Sequence, residues 1–252
     1  MKQEDYKLPD GRVLDPIMVQ ALRNEASDWV RKALERAEIP CGSLCVREVE
    51  EAIKKIIRIV KDSIPMADLR GFLYRKLPLR AQKNVDAVIA DLIRNLEGYI
   101  YLYGEKCTKD KDEKQHIGDF LDEEFKGDTM PGRVESNVYR VKGELESLIA
   151  GNPYNPYTDD RSYADFWDAL EATALVGIST RLIQRLAETE VSRAWMEEWG
   201  NKHADAKYVH VFRGSSYDCP MCDSVVAMGW QEVVNAITPP IHRSCKCICI
   251  YI

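Results

Sequence analysis

Two short clusters of cysteine and histidine near the end of the sequence constrain the fold most. Cys219 and Cys222 form a Cys-x-x-Cys pair, and twenty residues later His242 and Cys245 form a His-x-x-Cys pair, with Cys247 two residues further on. Each spacing lets two side chains on one turn reach the same tetrahedral metal ion. The sequence therefore predicts one structural Zn²⁺ site that joins the two clusters.

The sequence leaves the fourth zinc ligand open. Cys245 completes the His-x-x-Cys spacing, but alternation along a strand puts Cys245 and Cys247 on the same side. Either thiol can complete a site with Cys219, Cys222 and His242. A catalytic zinc is a weaker interpretation, because it needs an open position and the ligands here are in surplus.

A disulfide framework is the main alternative to a metal site, because five of the eight cysteines lie between residues 219 and 249. Met1–Asp5 are polar and charged, so we expect no secretory signal and a reducing compartment. Metal binding is favoured there, and unrelated buried thiols are the remaining alternative. Cys41 and Cys45 lie far from the clusters and are predicted to be small buried thiols.

Composition narrows the class of protein further. The chain has 252 residues, 45% of them hydrophobic and 30% charged, which is typical of a globular protein. Its net charge of −6 argues against a protein that coats nucleic acid without sequence preference. No uninterrupted apolar run is long enough to predict a membrane span.

Apolar residues that recur every three or four positions predict a mainly α-helical protein. Asp15-Pro16 is a helix start signal, and the Ile39-Pro40-Cys41-Gly42 stretch predicts a break. The predicted helices cover residues 15–37, 43–64, 67–77, 78–100, 115–125, 133–150 and 162–200, the last with a kink at Gly177. A capping box at Ser162 and Asp165 begins the last of these.

The end of the chain is predicted to be a small α/β module held together by zinc. Tyr208–Arg213 is a strand pattern, and Cys245–Ile252 alternates in a way that allows one β-hairpin with it. Residues 231–237 are predicted to form one or two helical turns. We expect Cys219→Ser to unfold this module and to leave the preceding helices largely folded, because structural zinc supplies folding energy.

These patterns divide the chain into four consecutive regions. They are an N-terminal helical region at 1–104, a linker or weak helix at 105–133, long helices at 134–200, and a metal-binding module at 201–252. The module has five Lys and Arg residues against four Asp and Glu. It is therefore near neutral, and the acidity of the chain lies upstream.

We predict that the protein is not an enzyme and has no small-molecule substrate. The sequence contains no phosphate-binding loop, dinucleotide fingerprint, nucleophile elbow or His-Glu-x-x-His motif. His242 is the one histidine within the two metal-ligand clusters, and it is predicted to be a zinc ligand. A metal-dependent nuclease is a third hypothesis, which predicts cleavage that chelation abolishes.

A combination of motifs near the C-terminus resembles a known family. The residues are Ala187–Ala194 (Ala-Glu-Thr-Glu-Val-Ser-Arg-Ala), then Cys219-Pro-Met-Cys222, Gly229, and finally Pro239–Cys247 (Pro-Pro-Ile-His-Arg-Ser-Cys-Lys-Cys). They resemble the C-terminal module of phage minor head proteins, the Mu F-like head morphogenesis family. The resemblance covers residues 185–247.

The sequence departs from the family pattern at three positions. Glu188 stands where the family has Arg, Arg243 replaces the Pro that follows the histidine, and Lys246 replaces the last Arg. The candidate metal ligands are all present.

The resemblance implies a minor head protein of a tailed phage, which associates with the portal and other capsid proteins during head assembly. It implies a role in DNA packaging or delivery, with packaged DNA as a further partner. The location it implies is the virion head, assembled in the host cytoplasm.

The alternative function is a zinc-dependent regulator that binds nucleic acid. It requires a basic face near the metal site, which five residues could provide: Lys202, Lys207, Arg213, Arg243 and Lys246.

Overall fold

The computed structural model describes residues 6–63, 77–152, 160–178, 180–214, 218–242 and 245–252. The described chain is mainly α-helical with a small antiparallel sheet near its C-terminus, which confirms the predicted fold class. The helices are α1 (Pro16–Ala33), α2 (Ile39–Ser63), α3 (Leu79–Gly104), α4 (Lys111–Asp122), α5 (Met130–Gly151), α6 (Tyr163–Gly177), α7 (Thr180–Asn201) and α8 (Pro220–Val226). The strands are β1 (Tyr208–Phe212), β2 (Trp230–Glu232) and β3 (Ile248–Tyr251).

Local capping signals fix the starts of several helices. The Asp15 carboxylate accepts a hydrogen bond from the Ile17 N–H at 2.9 Å, and Pro16 is the first residue of α1. Ser162 and Asp165 form the predicted capping box at the start of α6. These side chains satisfy backbone N–H groups that have no partner within the helix.

The predicted break between the first two helices is wrong. A π-helical turn at Leu34–Glu38 joins α1 to α2, and the Ile39 N–H donates to the Leu34 carbonyl. This wider turn shifts the hydrogen-bond pattern just before Pro40, which has no N–H to donate. The chain therefore remains helical through the Pro-Cys-Gly sequence.

Other helix boundaries also differ from the prediction. Asp110 accepts hydrogen bonds from the Asp112 and Glu113 N–H groups, so α4 begins at Lys111, four residues before the weak helix predicted at 115–125. The run predicted at 162–200 consists of two helices, because Ile178 is extended after the last residue of α6. The predicted helix at 67–77 lies outside the described residues except for its last position.

The contacts group the chain into two compact units, each built from segments that are distant in sequence. Unit 1 comprises residues 1–41, 100–123 and 187–252, and unit 2 comprises residues 42–99 and 124–186. This grouping is not the same division as the four consecutive regions predicted from the sequence.

In unit 1, β1 is the central strand of a three-stranded antiparallel sheet in the order β2-β1-β3. His210 pairs with Trp230 of β2 and with Ile250 of β3. The predicted pairing of β1 with β3 is confirmed. However, β2 and a 3₁₀ turn at Val233–Asn235 occupy the stretch predicted as helical turns.

The core of unit 1 joins α1 to this sheet. Helix α1 packs on β3, and Val19 and Ala26 belong to the same buried cluster as Val209 and Ile250. Every residue of β1 is buried, which is typical of a strand covered on both faces. The metal-binding module is therefore not a separate core, because an N-terminal helix covers its sheet.

Three tryptophans fasten α7 to the rest of unit 1. The Trp29 ring lies 5.3 Å from that of Trp195 and 5.5 Å from that of Trp199. The Trp195 indole N–H donates to the Tyr103 carbonyl at 3.1 Å, and that of Trp199 donates to the Cys249 carbonyl at 2.9 Å. Helix α7 is thereby bonded to the strand that follows the second ligand cluster.

Unit 2 is built from helices alone among its described residues. Apolar residues of α2, α3, α5 and α6 are buried, as the periodicity predicted. The Glu48 carboxylate of α2 accepts hydrogen bonds from the Asn95 amide and the Tyr99 hydroxyl of α3, each at 3.0 Å. Phe166 and Trp167 of α6 pack edge to face at 5.5 Å.

Candidate metal centre

The first ligand cluster lies at the start of α8. Cys219 is the N-cap residue of this seven-residue helix and Pro220 is its first residue. Pro is favoured there because its fixed φ suits a helix and the missing N–H would be unpaired in any case. Cys222 is buried on the first turn, so both thiols belong to one short rigid element.

The second cluster lies in an irregular segment that leads into β3. The Cys245 N–H donates to the His242 carbonyl at 3.1 Å, which holds these two residues close together. Cys245 and Cys247 are buried, whereas His242 is partly exposed. The segment thus directs an imidazole and two thiols toward α8.

The ligand atoms of the two clusters form two overlapping groups. Cys219, Cys222 and His242 lie within 4.8 Å of one another, and so do Cys222, Cys245 and Cys247. A tetrahedral site with metal–sulfur bonds of about 2.3 Å has sulfur atoms about 3.8 Å apart.

The Cys222 and Cys245 sulfur atoms are 3.8 Å apart, which matches such a site. The Cys222 sulfur is 3.0 Å from Nε2 of His242, which is shorter than the roughly 3.5 Å between sulfur and nitrogen ligands of one tetrahedral ion. Cys222 is common to both groups. Four of these ligands can therefore bind one ion once the two groups move closer together. The C-terminal cluster could hold a metal ion, as the sequence predicted.

The thiols of the second group differ in acidity. The Cys247 thiol donates a hydrogen bond to Cys245 and lowers the pKa of Cys245 to about 5. The same interaction raises the pKa of Cys247, and burial raises the pKa of Cys222 to about 12. Cys245 is thus the thiol of this group whose surroundings favour the thiolate, the form that binds metals.

Gly214 allows the two metal-binding segments to approach closely. A Cβ atom at this position would lie 1.4 Å from the Lys246 carbonyl oxygen and 3.2 Å from the Cys247 nitrogen. The turn after β1 therefore requires glycine. Nearby, the Arg213 guanidinium pairs with Asp223 of α8 and donates to the Cys219 carbonyl at 3.4 Å.

A buried carboxylate anchors the second segment. Glu38 in the π-helical turn is 1% exposed and forms an ion pair with Lys246, which lies between two candidate ligands. Burial raises the pKa of Glu38, while Lys246 and a hydrogen bond with Ser192 oppose that rise. Glu188, also close by, adds to the rise. The segment is thereby tied to both the π-helical turn and α7.

The Ala187–Ala194 stretch of α7 is almost wholly buried, although it is rich in polar residues. Arg193 and Glu190 form an ion pair at 2.6 Å with exposures of 4% and 1%. The Arg193 guanidinium also lies over the Phe120 ring at 4.8 Å. The charged groups of Arg193 and Glu190 are therefore buried inside unit 1 and do not contribute to its surface.

The other histidines lie outside both ligand groups. The His210 ring stacks on Phe212 at 4.2 Å, and that of His203 stacks on Tyr251 at 5.2 Å. His116 is exposed and lies 3.2 Å from Glu197. None of the eight cysteines forms a disulfide, and Cys41 and Cys45 are fully buried, as expected.

The basic residues predicted to form a face near the metal site are largely engaged within the protein. Lys202 pairs with Glu198, and Lys207 interacts with Tyr208. Arg213 and Lys246 have the acidic partners described above. Arg243 lies outside the described residues.

Sequence reasoning missed two residues that support the site, Glu38 and Gly214. A glutamate on an amphipathic helix is normally solvated, so nothing marked Glu38 as buried. Gly214 follows the strictly alternating strand β1 and precedes the first cluster. A glycine in that position was the available signal for a close backbone approach.

Comparison of the chain with protein-family models, with curated proteins and with solved structures gives no match in any of the three. In the described part of the chain, every helix is too short or too polar to cross a membrane.

Proposed function

We propose that this chain is a minor head protein of a tailed phage, which docks to the portal and neighbouring capsid proteins and is held together by one structural zinc ion. The observation that carries the proposal is the position of Glu38. Its carboxylate contacts Ser192 of the Ala187–Ala194 motif and Lys246 of the Cys-rich motif. Two motifs that together resemble the head morphogenesis family are thus parts of one unit.

The donor set supports zinc. Thiolates and imidazole in a tetrahedral arrangement suit Zn²⁺, whereas Mg²⁺ and Ca²⁺ prefer oxygen ligands. We assign Cys219, Cys222, His242 and Cys245 as the ligands, because the Cys222–Cys245 separation of 3.8 Å matches a tetrahedral edge. Cys247 then donates a hydrogen bond to the Cys245 sulfur, and it is the alternative fourth ligand. When bound, the ion cross-links α8 to the segment before β3.

A docking role agrees with this arrangement better than catalysis does. The candidate ligands outnumber the four positions of a tetrahedral ion, so the site keeps no position for a substrate. Most of the ligands are also buried. We therefore propose no enzymatic activity. The location that we propose, the virion head, comes from the resemblance to the head morphogenesis family.

Metal analysis of the purified full-length protein tests the zinc assignment. We expect about one zinc ion per chain, and loss of that ion in Cys222→Ser, because Cys222 belongs to both ligand groups. Cys107→Ser is the matched control, because that half-buried thiol lies outside both groups. Wild-type protein without bound metal, or equal metal content in both variants, would contradict the assignment.

Quantitative mass spectrometry of purified phage particles tests the head-protein role. We expect this chain in the particles at a low copy number close to that of the portal protein. Co-expression with the portal protein of the same genome should give a complex that survives size-exclusion chromatography. Absence from both the particles and the portal complex would contradict the proposal.

The nucleic-acid-binding alternative has less support. Four of the residues on which it depends have partners inside the protein, and the net charge is −6. It predicts DNA binding that weakens steeply with salt. Filter binding at two salt concentrations distinguishes it from the head-protein role.

A further inference from the structure

A cleft of about 290 Å³ lies beside the candidate metal centre in unit 1. One wall is a face of α1, and the other is formed by the Arg213–Gly214 turn and the Lys246–Ile248 segment. Both segments of the second wall are adjacent to candidate metal ligands. The shape of the cleft therefore depends on the same close approach at Gly214 that brings the two clusters together.

Four cationic side chains contribute to the lining of this cleft: Arg23, Arg31, Arg213 and Lys246. Three of them have carboxylate partners that lie outside the lining, Arg31 with Asp28 and Glu35, Arg213 with Asp223, and Lys246 with Glu38. The Arg23 guanidinium lies over the Phe212 ring at 5.0 Å, which fixes its orientation.

Partners of these cations leave donors available for a ligand. Arg31 pairs with Asp28 and Glu35 on the exposed surface of α1, and exposed pairs of this kind contribute little. Arg213 uses one of its terminal nitrogens for Asp223 and the Cys219 carbonyl. Because a guanidinium has five N–H groups, the arginines can bind a further anion.

Apolar side chains in the same lining indicate what kind of anion the cleft suits. Val30, Leu34 and Ile248 lie among the cations. Phe212 is only 5% exposed, so its ring is not available to stack on a nucleic-acid base. A carboxylate next to an apolar side chain matches this mixture better than a sugar–phosphate backbone does.

We propose that the cleft binds a short acidic segment of a partner protein, with its carboxylates on Arg23 and Arg31 and an apolar side chain against Val30 and Leu34. The volume accommodates a few side chains and not a whole helix. Guanidinium groups bind carboxylates in bidentate geometry, which provides orientation as well as affinity. This inference deepens the docking role proposed above and rests on that role for the nature of the partner.

Fluorescence anisotropy with a labelled peptide tests the proposal. The probe is a fluorescein-labelled Glu-Asp-Leu-Glu-Asp-Leu-Glu peptide, titrated with the full-length protein purified in the presence of zinc. We expect saturable binding that weakens about ten-fold in Arg23→Gln and in Arg31→Gln, since each loses a charge-assisted hydrogen-bond donor. Replacing both leucines of the peptide with serine is expected to weaken binding by a similar factor.

Arg94→Gln is the matched control. Arg94 also lies on an exposed helix surface and pairs with an aspartate three residues earlier, as Arg31 does, but it is in unit 2. We expect this variant to bind the peptide with wild-type affinity. Arg23→Gln and Arg31→Gln change partly or fully exposed positions of α1, and circular dichroism checks that they fold.

Two results would overturn the proposal. One is equal peptide affinity in wild type, Arg23→Gln and Arg31→Gln. The other is binding of a fluorescein-labelled oligothymidylate of equal charge in place of the peptide, with loss in the same variants. Metal content is measured on the same preparations. Zinc-loaded protein that does not bind the peptide refutes peptide binding in the cleft and leaves the proposed function standing. Protein without zinc counts against the proposed function itself.

Discussion

Substitution of Gly214 by alanine tests the reasoning about the metal centre most directly. The added Cβ would lie 1.4 Å from the Lys246 carbonyl oxygen, whereas ordinary contacts begin at 3.4 Å. One segment must therefore move by about 2 Å relative to the other. Metal–ligand distances tolerate only about 0.2 Å, so this displacement is an order of magnitude too large.

Two effects follow from that displacement. Overpacking alone costs about 1–3 kcal/mol, and a destabilisation of 1 kcal/mol lowers the melting temperature of a domain this size by about 2–4 °C. Separation of the two ligand groups also lowers metal affinity, which removes folding energy that the ion supplies. We expect Gly214→Ala to bind less than one metal ion per chain and to melt several degrees below the wild type.

Metal analysis together with thermal unfolding, with and without a chelator, measures both effects. Gly143→Ala is the control, because Gly143 lies within α5 and an added Cβ there meets nothing within 4 Å. That variant is expected to gain about 0.5–1 kcal/mol from helix propensity. Gly214→Ala with wild-type metal content and melting temperature would refute the close-approach argument.

Three further predictions concern other parts of unit 1 and its pH dependence. The sequence alone predicts that Cys219→Ser leaves the preceding helices largely folded, but the packing of α1 on β3 changes that expectation. Cys219→Ser, unlike Cys107→Ser, is expected to expose α1 as well as the metal-binding module to limited proteolysis. Burial raises the pKa of Glu38 above its ordinary 4.5, so the native state loses stability as pH rises from there. In denaturant titrations the stability of Glu38→Gln relative to wild type should therefore increase with pH. Arg193→Met removes the ion-pair partner of the buried Glu190 carboxylate and should cost about 3–5 kcal/mol, against under about 0.5 for Arg94→Met.

Each of these predictions has a contradicting outcome. Helix α1 that stays protease-resistant in Cys219→Ser would mean that it packs independently of the metal-binding module. A stability difference for Glu38→Gln that is flat or falls with pH would mean that burial does not dominate the pKa. Equal costs at Arg193 and Arg94 would mean that the α7 ion pair is solvated.

Sequence reasoning was successful where the deciding contacts are local. The Asp15 and Ser162 caps bond to backbone groups two and three residues away, and both helix starts were predicted. The metal-ligand clusters also have fixed short spacings. The strand pairing of β1 with β3 followed from alternation, although β2 was missed because three residues are too few to show a pattern.

Long-range contacts account for what the sequence could not reveal. Glu38 and Lys246 are 208 residues apart, and neither residue type signals burial by itself. The π-helical turn that presents Glu38 was predicted as the end of a helix, because Pro and Gly usually break helices. Helix α1 has an ordinary amphipathic pattern, and nothing in that pattern identifies β3 as the surface on which it packs.

The packing of α1 on β3 also determines when unit 1 can complete its folding during translation. Residues of α1 leave the ribosome long before the strand that covers their apolar face, because more than 200 residues separate Ala33 from Ile248. Every residue of unit 2, by contrast, precedes residue 187, so its helices can pack on each other while the rest of the chain is still being translated. Nascent α1 can pack on α7 first, through Trp29, but it cannot complete its packing until β3 has emerged.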